Sequence, residues 1–173
     1  TAYDLLLQTK APSWLFSVKM GATTVWEHWD GIKPDGTMWS ADMNSFNHYA
    51  YGAIGDWLYR WAAGLQEAAP GFREIRIKPY LNDHFTSMKA EQRTPYGLAS
   101  SGWTKEGDAL TLTVEIPANT TAEVYVPSAA ADKVTESGRA LDGRSDLKVA
   151  GWDDGYTLVR LGSGRYEFRS TLK

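Results

Sequence analysis

Apolar residues recur at steps of three and four from Tyr51 through Ile54, Leu58 and Trp61 to Leu65, while Asp56 and Arg60 fall on another side. That spacing draws one apolar stripe along a helix. Asp42 or Asn44 is placed to cap it and Pro70-Gly71 to stop it, so the pattern predicts a helix over residues 43–67. A shorter helix is expected over residues 3–10, closing before Ala11-Pro12 because a residue ahead of proline avoids the α region. Residues 13–41 read as a long connection with a turn at Pro34-Asp35-Gly36. Past Pro70 the period drops to two. Residues 73–78, 109–116, 122–126 and 156–161 alternate, with turns at Glu106-Gly107-Asp108, Ala118-Asn119 and Gly162-Ser163-Gly164. Short alternating strands of this kind predict an antiparallel β-sandwich. Residues 128–133, SAAADK, are the nearest thing to a flexible insertion.

Composition divides the chain in the same way. Six of the eight Trp lie before residue 62, and the later stretch is rich in Thr, Val, Ser and Gly. Two helices and a loop cannot enclose a core, because aromatic faces such as Tyr51, Trp57 and Trp61 would stay wet on one side. The first part therefore reads as the end of a larger helical domain, with Trp57 and Trp61 expected in its core. Exposed aromatic faces of that kind also point to self-association. A net charge of −3, without any Lys or Arg run, argues against nucleic acid or an anionic membrane as a partner. The absence of Cys removes disulfides, thiolate metal sites and thiol nucleophiles. The apolar run Leu5-Leu6-Leu7 is too short for a signal core and no later run approaches a membrane span, so a soluble chain is expected, with cytoplasm and export both left open.

Candidate chemistry concentrates in two segments. Residues 21–31, GATTVWEHWDG, set Glu27 between Trp26 and Trp29, and Asn47-His48-Tyr49 follows within MNSFNHYAYGAIGDWLYRW. Indole faces suit the C–H surface of a sugar, and a carboxylate can serve as the base for its water. A base works ionised, so a hydrogen-bond donor is wanted beside it, and His48, Asn47 and Thr24 are the near candidates. On the residues alone, Glu27 reads more readily as a structural carboxylate paired with Lys19 or Arg60, and His48 as a hydrogen-bonded core histidine. His28 and His84 lack companions at ligand spacing, so neither a metal nor a cofactor is expected. Asp30, Asp35 and Asp42 read as turn and cap residues.

The ordered series PSWLFSVKMGATTVWEHWDG, MNSFNHYAYGAIGDWLYRWAAGL, IKPYL, TPYG, SGW and EIPANTTAEVYVPS resembles the C-terminal end of bacterial α-L-rhamnosidases. The resemblance covers nearly the whole chain. It implies an α+β arrangement: residues 1–70 as the last helices of an (α/α)6 catalytic barrel and residues 71–173 as a jelly-roll-like antiparallel β-sandwich. It further implies an inverting hydrolase of terminal non-reducing α-L-rhamnosides. Glu27 then resembles the general base and His48 a ligand of the rhamnose hydroxyls, with Trp26, Asn47 and Trp29 as pocket neighbours. The family's general acid belongs to an upstream acidic segment that these residues do not include, so the expected partners are rhamnose-containing glycosides or polysaccharides and the upstream barrel, and the isolated chain should be inactive. The rival reading is a noncatalytic carbohydrate-binding or scaffold sandwich. Against it, Trp103, Tyr125 and Trp152 look too scattered to form a lectin face.

Overall fold

The computed structural model describes residues 2–173, which part into two compact units that divide between Asp56 and Trp57. In the first, helix α1 (Ala2–Leu7) is followed by α2 (Trp14–Lys19). Helix α2 falls inside the stretch expected to be a connection. Its start is nevertheless fixed by a local device, because the Ser13 hydroxyl accepts from the Phe16 N–H at 3.0 Å.

The predicted helix over 43–67 is the larger correction. Residues 41–49 are irregular, a 3-10 turn begins at Ala50–Ala53, α3 spans Ile54–Trp57, and a wide π turn, Leu58–Ala62, ends the run. Neither Asp42 nor Asn44 caps it: Ser40 Oγ receives the N–H groups of Asp42 and Met43, and Asn44 Nδ2 donates to the Gly31 carbonyl. Leu65, read as the last residue of the helical stripe, is instead in strand β1 (Leu65–Glu67). The apolar period continued where the backbone did not. Trp61 is likewise not a core residue; it is 41% exposed and lies 5.1 Å from the Tyr80 ring.

The second unit holds an eleven-strand sandwich that starts with β1. Its other strands are β2 (Glu74–Ile77), β3 (Ser87–Thr94), β4 (Gly97–Glu106), β5 (Ala109–Ile116), β6 (Thr121–Pro127), β7 (Thr135–Glu136), β8 (Arg139–Ala140), β9 (Leu147–Asp153), β10 (Tyr156–Leu161) and β11 (Gly164–Thr171). One sheet runs β1-β2-β6-β10-β9 and the other β3-β4-β5-β11-β7-β8. Pairing is antiparallel except between β2 and β6. Alternation fills the space between the sheets with Ile75, Ile77, Val124, Val126 and Val159 from one face and Trp103, Leu110, Leu112, Val114 and Phe168 from the other. The segment expected to be a flexible insertion is fastened. Ser128 is buried, its hydroxyl lies 2.7 Å from that of Thr157, and its carbonyl accepts from the Trp152 indole at 3.0 Å.

Residues 61–64 are seated on this sandwich by polar bonds that a hydrophobicity pattern does not register. The Trp103 indole donates to the Ala62 carbonyl at 2.8 Å and the Ser101 hydroxyl to the Ala63 carbonyl at 2.6 Å. Gly64 has φ +80°, and a Cβ there would stand 2.3 Å from the Pro79 nitrogen. Only glycine fits.

Two predictions follow from these contacts. Trp103→Phe keeps most of the apolar body but orphans the buried Ala62 carbonyl, which should cost about 1–3 kcal/mol, read as a lower urea midpoint with unchanged slope; Gly64→Ala, which adds a backbone collision, should cost more than that. Near the β7–β8 hairpin, hydrogen bonds from Arg144 hold the Asp146 carboxyl down at about 2. A depressed carboxyl stabilises the fold above its unfolded value and loses that contribution as pH falls through the folded one, so Asp146→Asn should flatten the acid unfolding limb between about pH 4 and 2.

Candidate active site

Two irregular segments of the first unit, residues 24–28 and 44–48, hold each other. The His48 N–H donates to the Val25 carbonyl at 2.7 Å and the Glu27 N–H to the Ser45 carbonyl at 2.9 Å. The Thr24 hydroxyl donates to the Phe46 carbonyl. In return the Ser45 N–H donates to Glu27 Oε2 at 2.9 Å. Glu27 is thus gripped by its own backbone and by one carboxylate oxygen from the same residue. Between the two segments the chain folds back through a bridge at Ile32 and Met38, and the Asp35 carboxylate closes the turn by accepting from the Thr37 N–H and hydroxyl. Those two bonds, the hydroxyl's first, hold the Asp35 carboxyl below the usual carboxylate range.

The donor beside Glu27 is therefore a backbone N–H, and not Thr24, Asn47 or His48 as the sequence suggested. Thr24 is committed to Phe46, and His48 Nδ1 accepts from the Ala50 N–H at 3.3 Å. An accepting Nδ1 leaves Nε2 to carry the proton of the neutral ring, so His48 offers a donor on its far edge. Asn47 is exposed, and its own N–H donates to Ser45 Oγ. Among the described residues Glu27 forms no ion pair, which leaves the pairing with Lys19 without support.

The tryptophans lie in a different group. Trp26 is buried and meets Phe46 edge-on at 5.2 Å. Trp29 stacks on Tyr51 at 3.7 Å and 18° and meets Trp14 edge-on at 5.1 Å. The Trp14 indole donates to the Tyr51 carbonyl and the Ser17 hydroxyl to the Trp29 carbonyl, both at 2.9 Å. Trp14, Trp26, Trp29 and Tyr51 wall a cavity of about 290 Å³ that neither Glu27, Asn47 nor His48 lines. The segment pair thus binds the stretch that carries Glu27 to the one that carries His48, while Trp26 and Trp29 line an aromatic cavity. Ser45 is the participant that sequence reading missed. No side-chain pattern marks it, since both groups it gives to Glu27 are backbone groups.

Comparison with known proteins identifies the family of the chain. Residues 1–62 match the bacterial alpha-L-rhamnosidase 6 hairpin glycosidase domain, and residues 64–141 match the bacterial alpha-L-rhamnosidase C-terminal domain. An alpha-L-rhamnosidase of Streptomyces avermitilis is 38% identical over 96% of this chain and 15% of its own length, and one of Formosa agariphila is 34% identical over 97% and 18%. The chain spans roughly a sixth of those relatives, so it corresponds to a small part of each. The crystal structure of the Streptomyces avermitilis alpha-L-rhamnosidase complexed with L-rhamnose superposes with a TM-score of 0.89 at 36% identity, covering 98% of this chain and 16% of that one. The native enzyme from Aspergillus terreus gives 0.79 at 35%, covering 97% and 17%. With few helices followed by antiparallel sheets, and with these matches running through both parts, the chain belongs to the bacterial α-L-rhamnosidases, as a C-terminal portion of that glycoside hydrolase family.

Proposed function

We propose that this chain supplies the general-base half of an inverting α-L-rhamnosidase site, acting on terminal non-reducing α-L-rhamnosides, with Glu27 as the base. One observation carries the reading. Glu27 is half-buried, one of its oxygens is fixed by the Ser45 N–H, and its other oxygen has no partner among the described residues. A carboxylate held in this way is oriented without being neutralised, as proton abstraction from water requires.

In an inverting hydrolysis, water attacks the anomeric carbon on the face opposite the leaving group. Glu27 Oε1 takes the water's proton as the C–O bond to the aglycone breaks, and a separate acid protonates the departing oxygen. The α-linked sugar leaves as the β anomer. The two carboxyls of such a pair stand about 6.5–9.5 Å apart to admit the water. The acid is assigned to the upstream barrel, which makes that segment the chain's obligatory partner and the isolated chain inactive. His48 donates from Nε2 to a sugar hydroxyl, Asn47 stands exposed between it and Ser45, and Trp26 and Trp29 shape the apolar wall. The chemistry needs neither metal nor cofactor. In this reading residues 1–70 end the barrel and residues 71–173 form the sandwich; the compact units part earlier, after Asp56, and the two family matches meet between residues 62 and 64. Leu5, Val18 and Trp39 stand exposed on the helical unit, which supports its association with further chain or with a second copy.

The test uses the longer protein that includes the upstream barrel, assayed on an aryl α-L-rhamnoside. Glu27→Gln should lower kcat by about 10²–10⁴-fold with the fold intact, and the unsubstituted enzyme should release β-rhamnose first, read by NMR before mutarotation. Full activity in the Gln variant would overturn the assignment. His48→Ala should act chiefly on binding, raising KM by about tenfold with a smaller change in kcat.

A further inference from the structure

The outer face of the five-stranded sheet carries a pattern unrelated to Glu27. Registers Arg76↔Glu123, Arg160↔Glu123 and Arg160↔Lys148 lay a row of charges straight across β2, β6, β10 and β9. Arg160 meets Glu123 at 3.0 Å and Arg76 meets it at 3.9 Å, so two guanidiniums share one carboxylate. Beside that row lies a groove of about 640 Å³ lined by Arg76, Glu123, Lys148 and Arg160. On the other side Lys78 projects among three tyrosines, its Nζ 4.8 Å from the Tyr156 ring, 4.9 Å from Tyr125 and 5.6 Å from Tyr80. Trp103, Tyr125 and Trp152 look too scattered along the sequence for a lectin face. Trp103 is in the core, but Tyr125 shares this face with Tyr80 and Tyr156.

Charge selects among ligands for such a face. Arg76, Lys78, Lys148 and Arg160 stand against Glu74 and Glu123, in a chain whose net charge is −3, and Asp146, which also lines the groove, is already held by Arg144. A neutral sugar would leave the surplus cations unanswered, and a purely ionic ligand would leave the tyrosines unused. We propose that this face binds a glycan bearing carboxylates, that is, a polysaccharide containing uronic acids. The C–H surface of its rings rests on Tyr80, the exposed ring of the three, and its carboxylates pair with Lys78 and with the arginine that Glu123 leaves under-compensated. This site would hold an acidic polysaccharide on the sandwich independently of any hydrolysis.

The test is isothermal titration of the full 173-residue chain with a short oligogalacturonate at low salt, beside a neutral glucan oligosaccharide of equal length and a polyphosphate of equal charge. Saturable binding of the oligogalacturonate is expected, at least about tenfold tighter than either control and weakened by about tenfold in Lys78→Ala and in Arg160→Ala. Glu27→Gln should bind as the unsubstituted chain does, so the outcome is independent of the rhamnosidase reading. Amide shift mapping on the unsubstituted chain locates the site even where a variant misfolds, and the perturbed amides should lie on β2, β6 and β10. Absence of binding, equal binding of either control, or perturbations confined elsewhere would overturn the proposal.

Discussion

Backbone meets backbone at Gly64, and the sandwich is entered through that contact. A Cβ at this position would lie 2.3 Å from the Pro79 nitrogen and 2.5 Å from the Lys78 carbonyl carbon, so no side chain is tolerated. The closeness lets Lys78 N–H reach the Gly64 carbonyl at 2.8 Å and Tyr80 N–H reach the Trp61 carbonyl at 2.9 Å. With the Ser101 and Trp103 side chains holding the next two carbonyls, the segment from Trp61 to Gly64 is tied at four successive carbonyls. Strand β1 can then start directly and pair with β2, whose parallel partner β6 brings in the rest of the sheet. The same contacts set Lys78 and Tyr80 on the outer face, so the proposed glycan surface inherits its geometry from one glycine.

The two units differ in how they are stabilised. Among the described residues of the first, Phe16 and Trp26 are the buried apolar side chains, whereas the second encloses a continuous cluster running from Ala63 to Phe168. Burial on that scale supports a fold without help. The first unit relies instead on stacked rings and backbone bonds: Trp29 on Tyr51, Trp14 to the Tyr51 carbonyl, and the 24–28 segment against 44–48.

Legibility followed the same division. Strands β5, β6 and β10 were readable because each buries one face only, and alternation is the direct record of that. Strand β4 was not, since Ala99 to Trp103 is buried on both faces and its small residues mask the period. The helix that reads as 43–67 failed at both ends for different reasons. At its start, Ser40 and Asn44 spend their hydrogen bonds on loop backbone, a use of Ser and Asn that competes with helix capping. At its end, a π turn and Gly64 redirect the chain while Leu65 keeps apolar spacing by coincidence of burial in the sheet. Glu27 and His48 stand out in the sequence as candidates, but the backbone groups that bond to them, the N–H of Ser45 and the N–H of Ala50, leave no trace in a side-chain pattern.

That last point bears on how the carboxylate is controlled. A side-chain donor can rotate, change protonation or be replaced, and each would alter the orientation of Glu27. The Ser45 N–H is a neutral donor at every working pH, and the reciprocal bond from the Glu27 N–H to the Ser45 carbonyl fixes the spacing at which it acts. Substitution at Ser45 therefore changes the grip only if the backbone moves. The orientation of the proposed base is accordingly a property of the paired segments, and what disturbs their pairing, at Thr24 or Phe46 as much as at Ser45, disturbs the base.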